Sequence, residues 1–290
     1  MITSFISLVD LFPAAVLSGI IMAVTCAVFG VFVLLRRVVF ISIALTECAA
    51  CGIAAAALLN LPPFLGALLC CLVAVAALAH DWEQQRIPRD AVLGTIFVAA
   101  AALSVLLVAR SGMGLLEIKA RLYGDLILAS WADCLLLAIV HLPLLLCVIV
   151  LLKAILYSFL DGNAARLMRI PVRVVEFGFF VALGLVVSAA SKSGGSMLVF
   201  CYLAVVPATA LMLSKRLAIV LPLAAVIAVA ATLIGLTCSF HYDLPGNQCI
   251  IMAATALFIA LPTIAAATRL LQRLAQRFAV APDRINTPTD

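Results

Sequence analysis

Nine apolar stretches, at roughly 12–35, 39–59, 63–79, 91–109, 134–157, 172–190, 196–213, 217–239 and 248–268, alternate with short polar connections. A bilayer core takes about 20 apolar residues wound as a helix, within a range of about 17–25. The pattern therefore predicts an all-α, polytopic membrane protein with 8–9 transmembrane helices. The third and seventh stretches are short, and the seventh contains Pro207. One broken or re-entrant helix would leave eight full spans, because irregular backbone is tolerated at membrane depth where protein or a water-filled cavity satisfies it.

Composition agrees with the pattern. Of the 290 residues 67% are hydrophobic and 11% charged, against about 45–50% and 25% in soluble domains. The first apolar stretch lacks a basic segment before it, so it is expected to be retained as a span and not cleaved as a signal.

Lysines and arginines gather in the cytoplasmic loops of membrane proteins. With the N-terminus outside, 14 of the 18 basic residues fall inside: Arg36, Arg37, Arg86, Arg89, Lys153, Arg166, Arg169, Arg173, Lys215, Arg216, Arg269, Arg273, Arg277 and Arg284. Only Arg110, Lys119, Arg121 and Lys192 fall on the other side. The expected topology is N-terminus outside and C-terminus cytoplasmic.

The longest connections, 80–90, 110–133 and 158–173, are too short for a second core, so residues 1–290 are read as one transmembrane domain. No Gly-x-x-x-x-Gly-Lys-Ser/Thr phosphate loop occurs, so any ATP hydrolysis belongs to a partner. The three histidines, His80, His141 and His241, form no protease motif. Basic residues are scattered without aromatic interleaving, which argues against nucleic acid as a partner. Most of the ten cysteines lie inside apolar stretches, where cysteine packs as a small hydrophobe, and no disulfide framework or zinc-finger spacing is present.

One acid stands apart. Glu47 lies in the middle of the apolar run 39–59, whereas the other twelve acids lie in or near polar connections. A carboxylate at bilayer depth is costly and marks a pathway, a partner or a bound cation. Cys51 follows at i+4 on the same helix face. Thiolate with carboxylate suits a borderline or soft divalent ion better than calcium or magnesium. A protonated Glu47 hydrogen-bonded to a neighbouring helix, with Cys51 only packing, is the competing reading.

Two loops carry further candidates. From Asp161 a short helix containing Ala164, Ala165, Arg166 and Arg169 is expected to end at Pro171, near 160–171 at the inner surface. It is either a topology-fixing loop or a docking helix. On the outer side His241 and Asp243 offer ligand chemistry within the run 239–247, whose Asp243-Leu244-Pro245-Gly246 reads first as a turn. The cluster 191–196 reads as a tight outer loop.

At this point the chain resembles the permeases of metal-ion ABC transporters, which import zinc, manganese or iron. The landmarks are Leu34-Leu35-Arg36-Arg37 leading into a helix that contains Gly52, then Arg89-Asp90-Ala91-Val92-Leu93-Gly94. After these come Leu122-Tyr123-Gly124-Asp125-Leu126-Ile127, Leu160-Asp161-Gly162-Asn163-Ala164-Ala165, the run 202–211 around Pro207, and Tyr242-Asp243-Leu244-Pro245-Gly246. Their order covers nearly the whole chain.

The resemblance implies a homodimer of permeases with two cytoplasmic ATPase subunits and a periplasmic or surface metal-binding protein, in the cell inner membrane. The divalent metal is the transported substrate, and no cofactor is permanently bound. It also implies that 160–171 is the coupling helix docking on the ATPase, and that Asp125 helps the binding protein dock. One departure is plain. Family members carry an Asp and a His four residues apart in the second helix, and the matching positions here are Ile43 and Glu47. Only Glu47 keeps ligand chemistry. A proton- or sodium-coupled secondary transporter acting without an ATPase is the alternative, with Glu47 as a proton-carrying group.

Overall fold

The computed structural model describes residues 8, 10–78, 89–110, 124, 126–160, 165 and 167–279, with the backbone alone at 78, 89, 160, 266 and 269–279. These residues form α1 (Pro13–Leu35), α2 (Val39–Leu59), α3 (Pro63–Leu78), α4 (Arg89–Arg110), α5 (Trp131–Val150), α6 (Leu152–Leu160), α7 (Val172–Leu213), α8 (Leu217–Tyr242) and α9 (Gly246–Ala279). A 3-10 turn at Leu126–Leu128 precedes α5. Seven of the helices are long and apolar enough to cross a membrane, and Pro63–Ala77 is a shorter apolar helix.

Local chemistry sets the ends. Asn60 takes the left-handed conformation at φ 54 and closes α2, with the Leu61 N–H reaching the Ala56 carbonyl at 2.9 Å. Pro62 and Pro63 then prevent continuation, and proline is at home at the start of the next helix. Helix α5 begins three residues before its apolar stretch, at a capping box. The Asp133 N–H donates to the Ser130 hydroxyl oxygen, and Ser130 donates from its backbone N–H and its hydroxyl to the Asp133 carboxylate. That device satisfies donors a helix start leaves free. The apolar stretch expected at 134–157 is divided at Leu151 into α5 and α6.

The bundle is built around α1 and α2. Helix α1 packs against α5, α7 and α8, and α2 against α3, α4 and α7. Both are largely buried, whereas α4 and α9 expose most of their apolar surface.

Helix α7 is not one straight rod. Its 42 residues would extend about 63 Å, but Gly195 has φ 69 and ψ 168. Before it, Phe179 stacks on Phe29 of α1 at 5.4 Å. After it, a Cβ on Gly30 would run into the Leu203 carbonyl and the Pro207 ring. Phe179 and Pro207 therefore lie beside the same part of α1, although about 42 Å would separate them on a straight helix. The chain folds back on itself at Gly195. Pro207, in one of the two short stretches where a broken helix was considered, stays inside the second arm. It has no N–H for the Leu203 carbonyl, and the side-chain-free Gly30 lets α1 approach that oxygen closely.

Candidate functional site

Glu47 is half-buried on α2, about 12 Å along the helix from its Val39 end and about 18 Å from its Leu59 end. Ser196, the first residue after the reversal in α7, lies within hydrogen-bonding reach of its carboxyl group. The tip of the α7 hairpin thus meets Glu47 inside the bundle. The cluster expected to be a tight loop at 191–196 is this buried tip: Ser191, Ser193, Gly194, Gly195 and Ser196 are all buried.

Two thiols of the same helix, Cys48 and Cys51, lie within electrostatic reach of the carboxylate. Cys48 and Cys51 of α2 and Cys70 of α3 are electrostatic neighbours, and the Cys51 and Cys70 thiols lie within hydrogen-bonding reach of each other. Close packing of the backbones places them so. A Cβ on Gly52 would overlap the Gly66 carbonyl, and one on Gly66 the Gly52 carbonyl. Cys71, the next residue of α3, also meets α2, donating to the Leu45 carbonyl at 3.4 Å, and it reaches Ser188 of α7. Among the described residues, no three His, Cys, Asp or Glu side chains stand together as a ready-made metal site. Ile43, one turn before Glu47, accepts the Thr46 hydroxyl on its carbonyl at 2.9 Å.

Two ends of the first arm of α7 are held by ion pairs. On the face that carries the start of α1, Lys192 pairs with Asp133 at 2.7 Å. On the opposite face Glu176 pairs with Arg36, whose guanidinium also lies over the Phe159 ring at 5.5 Å and donates to the Phe159 carbonyl at 3.4 Å.

Asn247 closes the space beside the hairpin tip. Its side-chain amide donates to the carbonyls of Gly124 at 3.0 Å and Gly194 at 2.9 Å, and its oxygen accepts the Leu126 N–H at 3.1 Å. Gly124, at φ 58, lies so close to Gly195 that a Cβ on it would be 2.7 Å from the Gly195 nitrogen.

The other expected site residues lie elsewhere. His241 packs edge-on against Tyr242 in the last turn of α8, and Asp243 is the left-handed cap of that helix at φ 52. Neither is joined to Glu47 in a cluster. In the 160–171 segment Ala165 is fully buried, and Arg169 is exposed at φ 57. The Ile170 N–H returns to the Ala165 carbonyl at 3.0 Å, the closing bond of a helix end with a left-handed cap. Leu167 and Met168 are 87% and 56% exposed. Asp125, Asp161, Ala164 and Arg166 lie outside the described residues.

Sequence reasoning missed Cys48, Cys70, Ser196 and Asn247. The pairing of Gly52 with Gly66 is the signal that would have brought Cys70 to Cys51. Nothing local to Ser196 or Asn247 announces a long-range partner.

Long apolar helices packed around a carboxylate at mid-helix define a multi-pass membrane permease. Residues 9–265 match the ABC 3 transport family, and the chain belongs to it, with the metal-ion ABC permeases of the plasma membrane. The manganese transport system membrane protein MntC of Halalkalibacterium halodurans is 30% identical over 248 residues, covering 84% of this chain and 82% of that protein. The chelated iron transport system membrane protein YfeD of Yersinia pestis is 26% identical over 248 residues, with the same coverage of each chain. In the solved structures, PsaBC from Streptococcus pneumoniae in complex with Fab shares the fold, with a TM-score of 0.80 at 23% identity over 89% of this chain and 94% of that one.

Proposed function

We propose that this permease carries a divalent transition-metal ion inward, powered by ATP hydrolysis on a separate subunit, and that Glu47 is an anionic ligand on the ion's path. The observation that carries the reading is Glu47 itself. It is the α2 carboxylate at a position where the resemblance implies a pathway ligand, and the α7 hairpin tip is seated against it. Thiols at Cys51 and Cys70 favour zinc, whereas the likeness to MntC, a manganese transport protein, and YfeD, a chelated iron transport protein, speaks for manganese or iron.

The arms of α7 on either side of Gly195, counted separately, and α3 counted as a short span give nine crossings. With the N-terminus outside, the basic loops then lie in the cytoplasm and residues 1–290 form one permease domain. A second copy and two ATPases complete the transporter, which opens alternately to the two sides. The segment 160–171 is the coupling helix, supported by its exposed Leu167 and Met168. His241, Asp243 and Asp125 belong to the outer loops, where the metal-binding protein delivers its ion.

Metal-specific uptake by cells carrying the wild type, Glu47→Ala or Glu47→His tests the reading. Loss with alanine and recovery with histidine are expected, and full uptake with alanine overturns the ligand role. Uptake by the reconstituted permease alone under a proton gradient would establish the secondary-transporter reading instead.

A further inference from the structure

The turn from α8 to α9 brings two cysteines together. Cys238 lies four residues before the end of α8, and Cys249 three residues beyond the start of α9. The Cys249 thiol is within hydrogen-bonding reach of Cys238, and both residues are partly exposed. A disulfide needs Cα atoms about 4.4–6.8 Å apart, a separation that two helices reach only in very close packing. That packing is present one turn away, where a Cβ on Gly235 would overlap the Ile250 backbone.

The turn is also held in register. Asp243 closes α8 in the left-handed conformation, the Leu244 N–H donates to the Ser239 carbonyl at 3.1 Å, and the Ser239 hydroxyl donates to the Leu244 carbonyl. The deeper pair, Cys51 and Cys70, stands about 12 Å from the Leu59 end of α2, away from any soluble oxidant. Cys238 stands only about 6 Å from the end of its helix, at the level of the polar boundary.

We propose that Cys238 and Cys249 form a disulfide stapling α8 to α9. The inference rests on the orientation proposed above, which puts this turn on the extracytoplasmic side, where disulfides form and persist. The acceptor is a dithiol–disulfide protein of that compartment. One cysteine thiolate attacks its disulfide and forms a mixed disulfide, and the second displaces the acceptor thiolate. Two thiols are oxidised, the acceptor disulfide is reduced to two thiols, and the two protons pass to it or to solvent. The closed loop fixes the turn that leads to Asn247, and through it the clamp on Gly124 and Gly194.

The test uses the full chain in native membranes. Cells are quenched in acid, free thiols are blocked with N-ethylmaleimide in denaturant, and the protein is then reduced and treated with a polyethylene-glycol maleimide. Two additions are expected in the wild type and none in Cys238→Ser or Cys249→Ser, with the linked peptides 238 and 249 recovered by mass spectrometry without reduction. A wild type with no additions, or a Cys238→Ser chain that keeps two, overturns the disulfide. A membrane-impermeant maleimide applied to reduced intact cells separates the two claims. If it reaches Cys238 and Cys249 but the wild type shows no protected thiols, the disulfide fails and the orientation stands. If it reaches them only after permeabilisation, the orientation fails, and the disulfide with it.

Discussion

Asn247 donates a hydrogen bond to the Gly194 carbonyl at 2.9 Å, tying the start of α9 to the residue before α7 reverses. The same side chain also bonds Gly124 and Leu126, so one amide holds three segments over the tip that meets Glu47. Asn247 is only 3% exposed, and removing it leaves buried groups without partners. Such groups cost about 1–3 kcal/mol each. Asn247→Ala is expected to destabilise the chain by about 3 kcal/mol, read as a fall in melting temperature in detergent. Asn247→Asp, which keeps the acceptor for Leu126 but loses both donors, is expected to be intermediate or worse.

The contact between Gly52 and Gly66 decides whether the thiols of α2 and α3 can meet. Gly52→Val would force the Gly66 backbone away, at a cost of about 1–3 kcal/mol or more for overpacking. Gly184→Ala makes the contrast, because its added Cβ would sit 3.6 Å from the Cys71 Cβ, an ordinary contact. Crosslinking of Cys51 to Cys70 by a short bis-maleimide or copper phenanthroline is expected in Gly184→Ala and lost in Gly52→Val. Equal crosslinking in both would mean the glycine contact does not set the helix spacing.

These two relationships show where the sequence stopped being legible. Apolar run lengths located α2 at 39–59 and placed most other helix boundaries within a few residues, because a span must be apolar along its length. The end of α9 at Ala279, however, lies beyond the apolar stretch that ends at 268, and the 134–157 stretch is divided into two helices. Glu47 was legible because a carboxylate is conspicuous there. The break in the 172–213 segment was legible, because the run 191–196 separates two apolar stretches and Gly195 lies within it, but that this run is a buried hairpin tip and not an outer loop was not. Ser196 and Asn247 act across 149 and 53 residues, from Glu47 and Gly194 respectively. Periodicity does not encode which helices pack, so neither contact could be read from it. The α5 start at Ser130 was legible as a capping box but was masked by reading apolar content alone.

Cys51 and Cys70 separate the zinc reading from the manganese one. Thiolate ligands favour zinc strongly, whereas manganese prefers oxygen donors. If both thiols lie on the ion's path, the double variant Cys51→Ser, Cys70→Ser is expected to lower zinc uptake at least about tenfold, roughly 1.4 kcal/mol of transition-state stabilisation. Manganese uptake is expected to change by less than about twofold. Parallel uptake of the two isotopes by matched cells checks this, with immunoblotting for membrane abundance. Equal loss for both ions would assign the pair to packing, and no loss for either would remove it from the path.

Leu167 is the remaining exposed handle. It is 87% exposed next to the fully buried Ala165, at the end of a helical turn closed by Arg169. A large apolar side chain held out by a fixed turn, on a segment whose other side is buried, is suited to fill a pocket on another subunit. Anchors of this kind carry a disproportionate share of interface energy, often 2 kcal/mol or more on truncation. Leu167→Ala is therefore expected to weaken association with the ATPase by roughly 30-fold, while leaving the melting temperature of the isolated permease unchanged because the side chain packs against little of it. Co-purification and metal-stimulated ATP hydrolysis in proteoliposomes supply the readout. Arg169→Ala serves as the comparison, since an exposed charge at a rim contributes about 1 kcal/mol or less. Unchanged coupling in Leu167→Ala would return 160–171 to the role of a topology-fixing loop.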